Sequence, residues 1–175
     1  MDVVEELLQG RKAFERWEWA AAHDRLGAPA MNDLSAEDLA ALATASYLVG
    51  DRDTCVRAWQ RAYQLHSDEG AVLAAVRDAF WIAFVLITSG SAAVGGGWVA
   101  RAQRLLESEP EDVVERGYLL IHDVYRHVFA GEFAEGLELA AKVAFAGERF
   151  GDPDLIAEGL TGQGRMMMCT GRVPE

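Results

Sequence analysis

The sequence predicts an all-α fold, a right-handed superhelical stack of antiparallel helix pairs with about nine helices. Three observations carry this. Glycines recur at Gly50, Gly90, Gly131 and Gly171, at intervals of 40, 41 and 40 residues, and a fixed period of that length marks a helical repeat array. Small residues keep a fixed distance from this beat. Ala43, Ala83, Val124 and Gly164 lie seven before it, and Cys55, Gly95 and Gly136 five after it. Helices that double back through a short turn need small residues where their backbones meet. Apolar residues follow a period near 3.6, and no segment alternates convincingly with period two.

Taken in order, the predicted helices are 2–15, 18–26, 36–49, 52–68, 71–88, 92–108, 111–130, 133–150 and 153–170. In the first pair Trp17 holds the beat position, with Gly10 seven before it and Ala22 five after it, and the pair closes at Gly27-Ala28-Pro29. Ser35-Ala36-Glu37-Asp38 resembles a capping box and starts the third helix, whose stripe is Leu39, Leu42, Ala43, Ser46 and Tyr47. Gly70, Pro110 and Gly151 fall about twenty residues after a beat and end the second helix of each pair. Gly95-Gly96-Gly97 precedes Trp98 near a helix start, and close packing under the indole is the expected reason for the glycines. The seventh helix follows the acidic Glu109-Pro110-Glu111-Asp112 and carries the stripe Val113, Tyr118, Ile121, Val124, Tyr125 and Val128. The units are about 1–30, 35–70, 71–110, 111–151 and an incomplete 153–175, forming one domain over 1–175.

Composition narrows the functional classes. Of the 175 residues 51% are hydrophobic, enough for a real core, and the net charge is −12. Only Lys12 and Lys142 are lysines, and the arginines are scattered among acids. Duplex binding needs clustered cations, so no direct nucleic-acid contact is expected. Cys55 and Cys169 lie outside any metal or redox spacing, which fits a reducing, cytoplasmic setting. The acidic start Met1-Asp2-Val3-Val4-Glu5-Glu6 is unlike a signal peptide. The longest apolar run, Ala79 to Ile87, is short of the roughly 20 residues that span a bilayer, so no membrane partner is expected.

No catalytic constellation is visible, and the chain reads as a non-enzyme without cofactor or metal. His122 and His127 are five apart and diverge around a helix. Asp123 and His127 are four apart and are placed to pair on a surface. His23 and His66 have no ligand spacing around them. Gly95-Gly96-Gly97 and Gly159, Gly162, Gly164 follow no strand, so neither is a nucleotide loop.

A binding surface is expected where the first helices of successive pairs line a concave side. Positions thirteen, nine and six before the beat share one helix face. They are Glu37, Ala41, Thr44; Arg77, Trp81, Phe84; Tyr118, His122, Tyr125; and Glu158, Gly162, Arg165. Arg77, Trp81, Phe84, Tyr118, His122, Tyr125 and Arg165 are the candidate partner- or ligand-binding residues. One reading is a groove for a protein segment or peptide, or for a small-molecule effector, since aromatics give contact area and arginine holds a carboxylate or phosphate. The other is ordinary core between repeats.

The helix-pair pattern resembles tetratricopeptide-like repeats with a slightly longer unit. Four stretches are more specific: Asp78-Ala79-Phe80-Trp81-Ile82-Ala83-Phe84, Gly96-Gly97-Trp98-Val99-Ala100-Arg101-Ala102-Gln103-Arg104-Leu105-Leu106, Glu115-Arg116-Gly117-Tyr118-Leu119-Leu120 and Glu148-Arg149-Phe150-Gly151-Asp152-Pro153-Asp154-Leu155. Together, from about Ala13 to Val173, they resemble the repeat region of actinobacterial LuxR-type transcriptional regulators. In that family the array precedes a DNA-binding helix-turn-helix. The resemblance implies a sensory or protein-interaction half of such a regulator, here without that DNA-binding part.

After Gly171 the periodicity calls for another helix, but only Arg172-Val173-Pro174-Glu175 follows. The segment 153–170 is then expected to expose an apolar face, with Leu160 and part of Met166-Met167-Met168. Either a longer array continues there or another copy covers it, and a homodimer through this end is the expected assembly.

Overall fold

A computed structural model describes residues 3–171. The expectations for Met1, Asp2 and the Arg172–Glu175 segment lie outside the described residues. Among those described there are nine α-helices, one short 3-10 turn and no strand. The helices are α1 (Val3–Glu15), α2 (Trp19–Leu26), α3 (Ala36–Val49), α4 (Arg52–Asp68), α5 (Val72–Thr88), α6 (Ala92–Leu106), α7 (Val114–Ala130), α8 (Phe133–Phe150) and α9 (Pro153–Cys169), with the turn at Met31–Asp33. The chain divides into two compact units, Met1–Ala102 and Gln103–Glu175. In the first, α1 packs on α2, α2 on α3, α3 on α4 and α4 on α5; in the second, α7 packs on α8 and α8 on α9.

The glycine beat is a row of left-handed bends. Gly50, Gly90, Gly131 and Gly171 have φ between 70° and 89°, and Gly70 and Gly151 add bends of the same kind. Most close by one hydrogen-bond scheme, in which the amide after the bend reaches back five residues. Asp51 N donates to Ser46 O (2.8 Å), Ser91 N to Leu86 O (2.8 Å) and Glu132 N to His127 O (2.9 Å). This is the Schellman closure of a helix. Trp17 takes the glycine's place in the first pair. Its φ is +61°, the sole positive φ of a non-glycine among the described residues, and Glu18 N donates to Ala13 O at 2.9 Å as at the other bends. A side chain in that conformation costs roughly 1–2 kcal/mol.

The small residues around the bends do bring helices together. A Cβ on Gly10 would sit 2.8 Å from the Leu26 side chain, and one on Gly95 would meet Ile87 at 2.5 Å and the Ala83 carbonyl at 3.1 Å. Gly164 differs from its counterparts: nothing lies within 4 Å of its missing Cβ. The glycine triplet also divides, because only Gly95 is at a close approach while Gly96 and Gly97 face open space. The closest seam in the second unit is α8 on α9. There a Cβ on Gly159 would stand 2.3 Å from Ala144 N, and one on Gly147 2.5 Å from Ile156 N.

Two helix limits differ from expectation by more than one residue. α6 ends at Leu106 rather than 108, and α7 begins at Val114 rather than 111. Pro110 has no amide to continue the ladder and disfavours the helical conformation at the residue before it. Arg116 then holds the linker from below, its Nη2 donating to Leu106 O (2.8 Å) and Glu109 O (3.3 Å) and its Nε to Pro110 O (3.3 Å).

The first unit's core gathers Leu26, Leu39, Leu42, Cys55, Trp59 and Ile82. Burial pushes the Cys55 thiol up to about 11. In the second unit Leu119, Ile121, Val143, Leu155 and Met166 are buried. No helix among those described is long and apolar enough to cross a membrane.

Candidate functional site

The seven candidate residues fall in both units. Arg77, Trp81 and Phe84 stand on α5 of the first. Trp81 is half-buried and stacks on Trp59 of α4, with ring centroids 6.2 Å apart and planes 15° apart. Phe80 meets the same indole edge-on at 4.9 Å, and Phe84 does so at 5.9 Å. Aromatic pairs of this geometry are characteristic of packed interiors. Arg77 is half-buried beside them. Trp81 is therefore largely spent on joining α4 to α5, and Phe84 packs its ring on Phe80 and Trp81 of its own helix.

In the second unit the four residues separate into two groups. Tyr118 is buried, and its hydroxyl donates to both carboxylate oxygens of Asp152 at 3.0 and 3.1 Å. Asp152 also caps α9, accepting from the amides of Asp154 and Leu155 at 3.1 Å. Tyr118 thus fixes the start of α9 from α7. His122 is buried one turn further along. Neither is presented to a molecule at the surface.

Tyr125 and Arg165 form the other group. They lie on α7 and α9, and the guanidinium carbon sits 5.5 Å from the centre of the tyrosine ring. Phe129, one turn after Tyr125, has its ring 6.3 Å away and is largely exposed. Beside this pair is a recess of about 20 Å³. Its walls are Val124, Val128, Ala140 and Val143, and its rim includes Glu158, Gly162, Thr161 and Arg165. Glu158, Gly162 and Arg165 are the three positions of α9 that the repeat offsets place on one face, and Tyr125 joins them from α7. Desolvation raises the Glu158 pKa; Arg165 opposes that rise and Asp154 adds to it. The recess has room for about one water molecule. A second, open recess of about 320 Å³ lies among Gln103, Leu106, Arg116, Leu119, Leu120 and Asp123. Its arginine is held by the linker carbonyls, and its aspartate lies 3.3 Å from Arg126.

Asp123 and His127 do not meet as their spacing allows. Asp123 pairs with Arg126, and His127 Nδ1 lies 2.7 Å from Glu132 at the bend. Two other histidines have carboxylates that linear spacing could not show. His23 Nε2 is 3.2 Å from Asp51, and His66 Nδ1 is 2.6 Å from Asp78. Arg11 grips the buried Asp38 through two bonds of 2.7 and 2.8 Å. A signal for two of these existed, since Asp38 and Asp78 each interrupt an apolar stripe at the same repeat position. A further cluster, Arg101 over the rings of Trp98 (4.7 Å) and Tyr63 (5.6 Å), was not visible in the sequence because Tyr63 reaches it from α4 while Trp98 and Arg101 stand on α6. Among the described residues no three His, Cys, Asp or Glu side chains come together in a way that could hold a metal ion.

Compared with protein-family models, with curated proteins and with solved structures, the chain matches none.

Proposed function

We propose that this chain is a non-enzymatic interaction module, the regulatory half of a LuxR-type transcriptional regulator working in the cytoplasm, and that it holds a protein segment against α7 and α9. One observation carries the binding part: Arg165 seated over Tyr125 on the rim of a shallow recess. An aromatic face and a guanidinium on two neighbouring helices suit a side chain laid across them. A recess of about 20 Å³ favours this over an enclosed small-molecule effector, since pockets for such ligands run to some 300 Å³ or more. The regulator assignment rests on the sequence resemblance alone. DNA contact falls to a part of the regulator other than these helices.

Self-association belongs to the same proposal. Leu160 and Met168 are exposed on α9, while Met166 is fully buried. Together with the open Gly164 they make an apolar stripe at four-residue steps, of the kind that a neighbouring copy covers.

Selection of peptides from a displayed library tests the binding reading. Enriched peptides should lose binding to Tyr125→Ala and Arg165→Ala while both variants keep their melting temperature. Peptides that bind both variants as well as the parent would refute it. His122→Ala serves as the contrast, because its burial predicts a loss of stability instead. Sedimentation as a monomer at high micromolar concentration would remove the dimer.

A further inference from the structure

Arg101 is an arginine held in place by two aromatic rings and by nothing else. It is exposed on α6, and its guanidinium carbon stands 4.7 Å from the centre of the Trp98 ring and 5.6 Å from that of Tyr63 on α4. The two rings meet each other edge-on at 5.1 Å. Among the described residues Arg101 makes no hydrogen bond or ion pair. Its donors are therefore positioned by the rings and left unpaired.

A second, independent observation lies one turn earlier on the same face. Gly97 is inside α6, and nothing stands within 4 Å of the Cβ it lacks. Glycine there costs about 1 kcal/mol relative to alanine, and no neighbour in the fold requires it. Such a position suits the close approach of another molecule's backbone. Helical side chains lean towards the N-terminus, so the Arg101 guanidinium lies back over the turn of Gly97 and Trp98 and borders the open space. Val94, three residues before Gly97, adds an apolar side chain that is 59% exposed. Gly96 is open as well, but it stands about 140° round the helix from Arg101.

Local charge selects the occupant. Arg101 and Arg104 are the only charged residues of α6. On α4 the acids that follow Tyr63, Asp68 and Glu69, stand roughly 120–140° round the helix from it. Salt screens exposed charges beyond about 8 Å, so the guanidinium and not the net charge of −12 governs a contact made here. Two arginines do not make the cluster of cations that a nucleic acid needs. A single carboxylate, by contrast, matches the fork of one guanidinium.

We infer that Arg101, held by Trp98 and Tyr63, anchors a docking surface for a partner protein's segment that carries one carboxylate between apolar side chains, the carboxylate on the guanidinium and the segment's backbone over Gly97. These residues all belong to the first unit, and the surface does not depend on the Tyr125–Arg165 face.

The probe is a short capped peptide of leucine and serine with one central glutamate, and its glutamine twin is the control. Nuclear magnetic resonance titration follows the Arg101 Nε–H and Trp98 indole signals. The glutamate peptide should move both, and the glutamine peptide should bind about tenfold more weakly or worse. Gly97→Glu sets a carboxylate four residues before Arg101, where the two pair along the helix. It should abolish binding while raising the melting temperature. Gly96→Glu makes the same change of charge and of helix propensity away from Arg101, and should bind as the parent does. Arg101→Lys keeps the charge without the fork, and should lose about tenfold in binding with little change in melting. Equal binding of the two peptides would overturn the inference. So would parental affinity in Gly97→Glu or Arg101→Lys, or loss of binding in Gly96→Glu. Equal movement of both signals by sodium acetate, or by a single-stranded oligothymidine, would overturn it too.

Discussion

Asp38 and Asp78 occupy the same place in successive hairpins, twelve residues before Gly50 and Gly90; both are buried, and their different partners leave them shifted in opposite directions. The Arg11 guanidinium holds the Asp38 carboxyl below its ordinary range, with Ser35 helping. Asp78 meets an imidazole instead of a guanidinium, and desolvation pushes it up to about 6, His66 opposing. One repeat position therefore yields a firmly ionised carboxylate and one poised to take up a proton.

The two sites should respond to pH with opposite sign. The folded chain binds the Asp78 proton more tightly than the unfolded chain does. Its contribution to stability is therefore complete below the ordinary carboxyl pKa near 4 and is lost as pH rises through about 6. A shift of that size corresponds to at most roughly 3 kcal/mol. Asp78→Asn keeps an acceptor for His66 and removes the titration. Between pH 4 and 7 the melting temperature of the variant relative to the parent should rise with pH, as followed by circular dichroism. Parallel curves would show that burial does not perturb this carboxyl.

Arg11→Ala leaves a carboxylate buried without its principal counter-charge. The expected loss is about 3 kcal/mol at neutral pH. It should shrink in acid, because Asp38 contributes its stability above the ordinary carboxyl pKa and gives it up as pH falls through its lowered value. Chemical denaturation at pH 7 and pH 3 checks both the size and the trend.

The three glycines before Trp98 should part company under substitution. Gly96→Ala and Gly97→Ala add a methyl to open helix surface, and each should stabilise by up to about 1 kcal/mol. Gly95→Ala drives its methyl to within 2.5 Å of Ile87 Cγ1 and should destabilise despite the better propensity. Identical effects at all three positions would contradict the packing described for α5 and α6.

Gly159→Ala is expected to be the most damaging single methyl in the second unit. Its Cβ would press on the backbone nitrogen of Ala144, which cannot rotate away. A loss above roughly 2 kcal/mol, or a chain unfolded at room temperature, is the expected result. Gly164→Ala, one and a half turns along the same helix, should be neutral or stabilising. The pair of melting curves separates helix propensity from contact.

The bends and the helix count were legible because each depends on local chemistry repeated at a fixed interval. Gly50, Gly90 and Gly131 announce themselves, and even Trp17 could be assigned its bend by register alone. Pro110 was visible as a stop, but the distance over which the chain stays unwound depends on Arg116 reaching back to three carbonyls, a tertiary fact. The site was half legible for a related reason. Helical offsets put Tyr125 and Arg165 on the same side of successive first helices, and the structure brings them together. The same offsets could not tell that Tyr118, seven residues earlier, turns inward to hold Asp152. Which side of an aromatic stripe is covered is decided by the neighbouring helix, and so are the His66–Asp78 and Arg11–Asp38 pairs.

The two cysteines give the molecule an inbuilt chemical clock. Cys55 is fully enclosed and hard to ionise, whereas Cys169 stands in solvent at the close of α9. An alkylating reagent should therefore mark Cys169 at once and reach Cys55 only when the first unit opens, because attack requires an accessible thiolate. Mass spectrometry of the time course would then count openings of that unit in the unaltered protein, with the second thiol silent until the core lets reagent in.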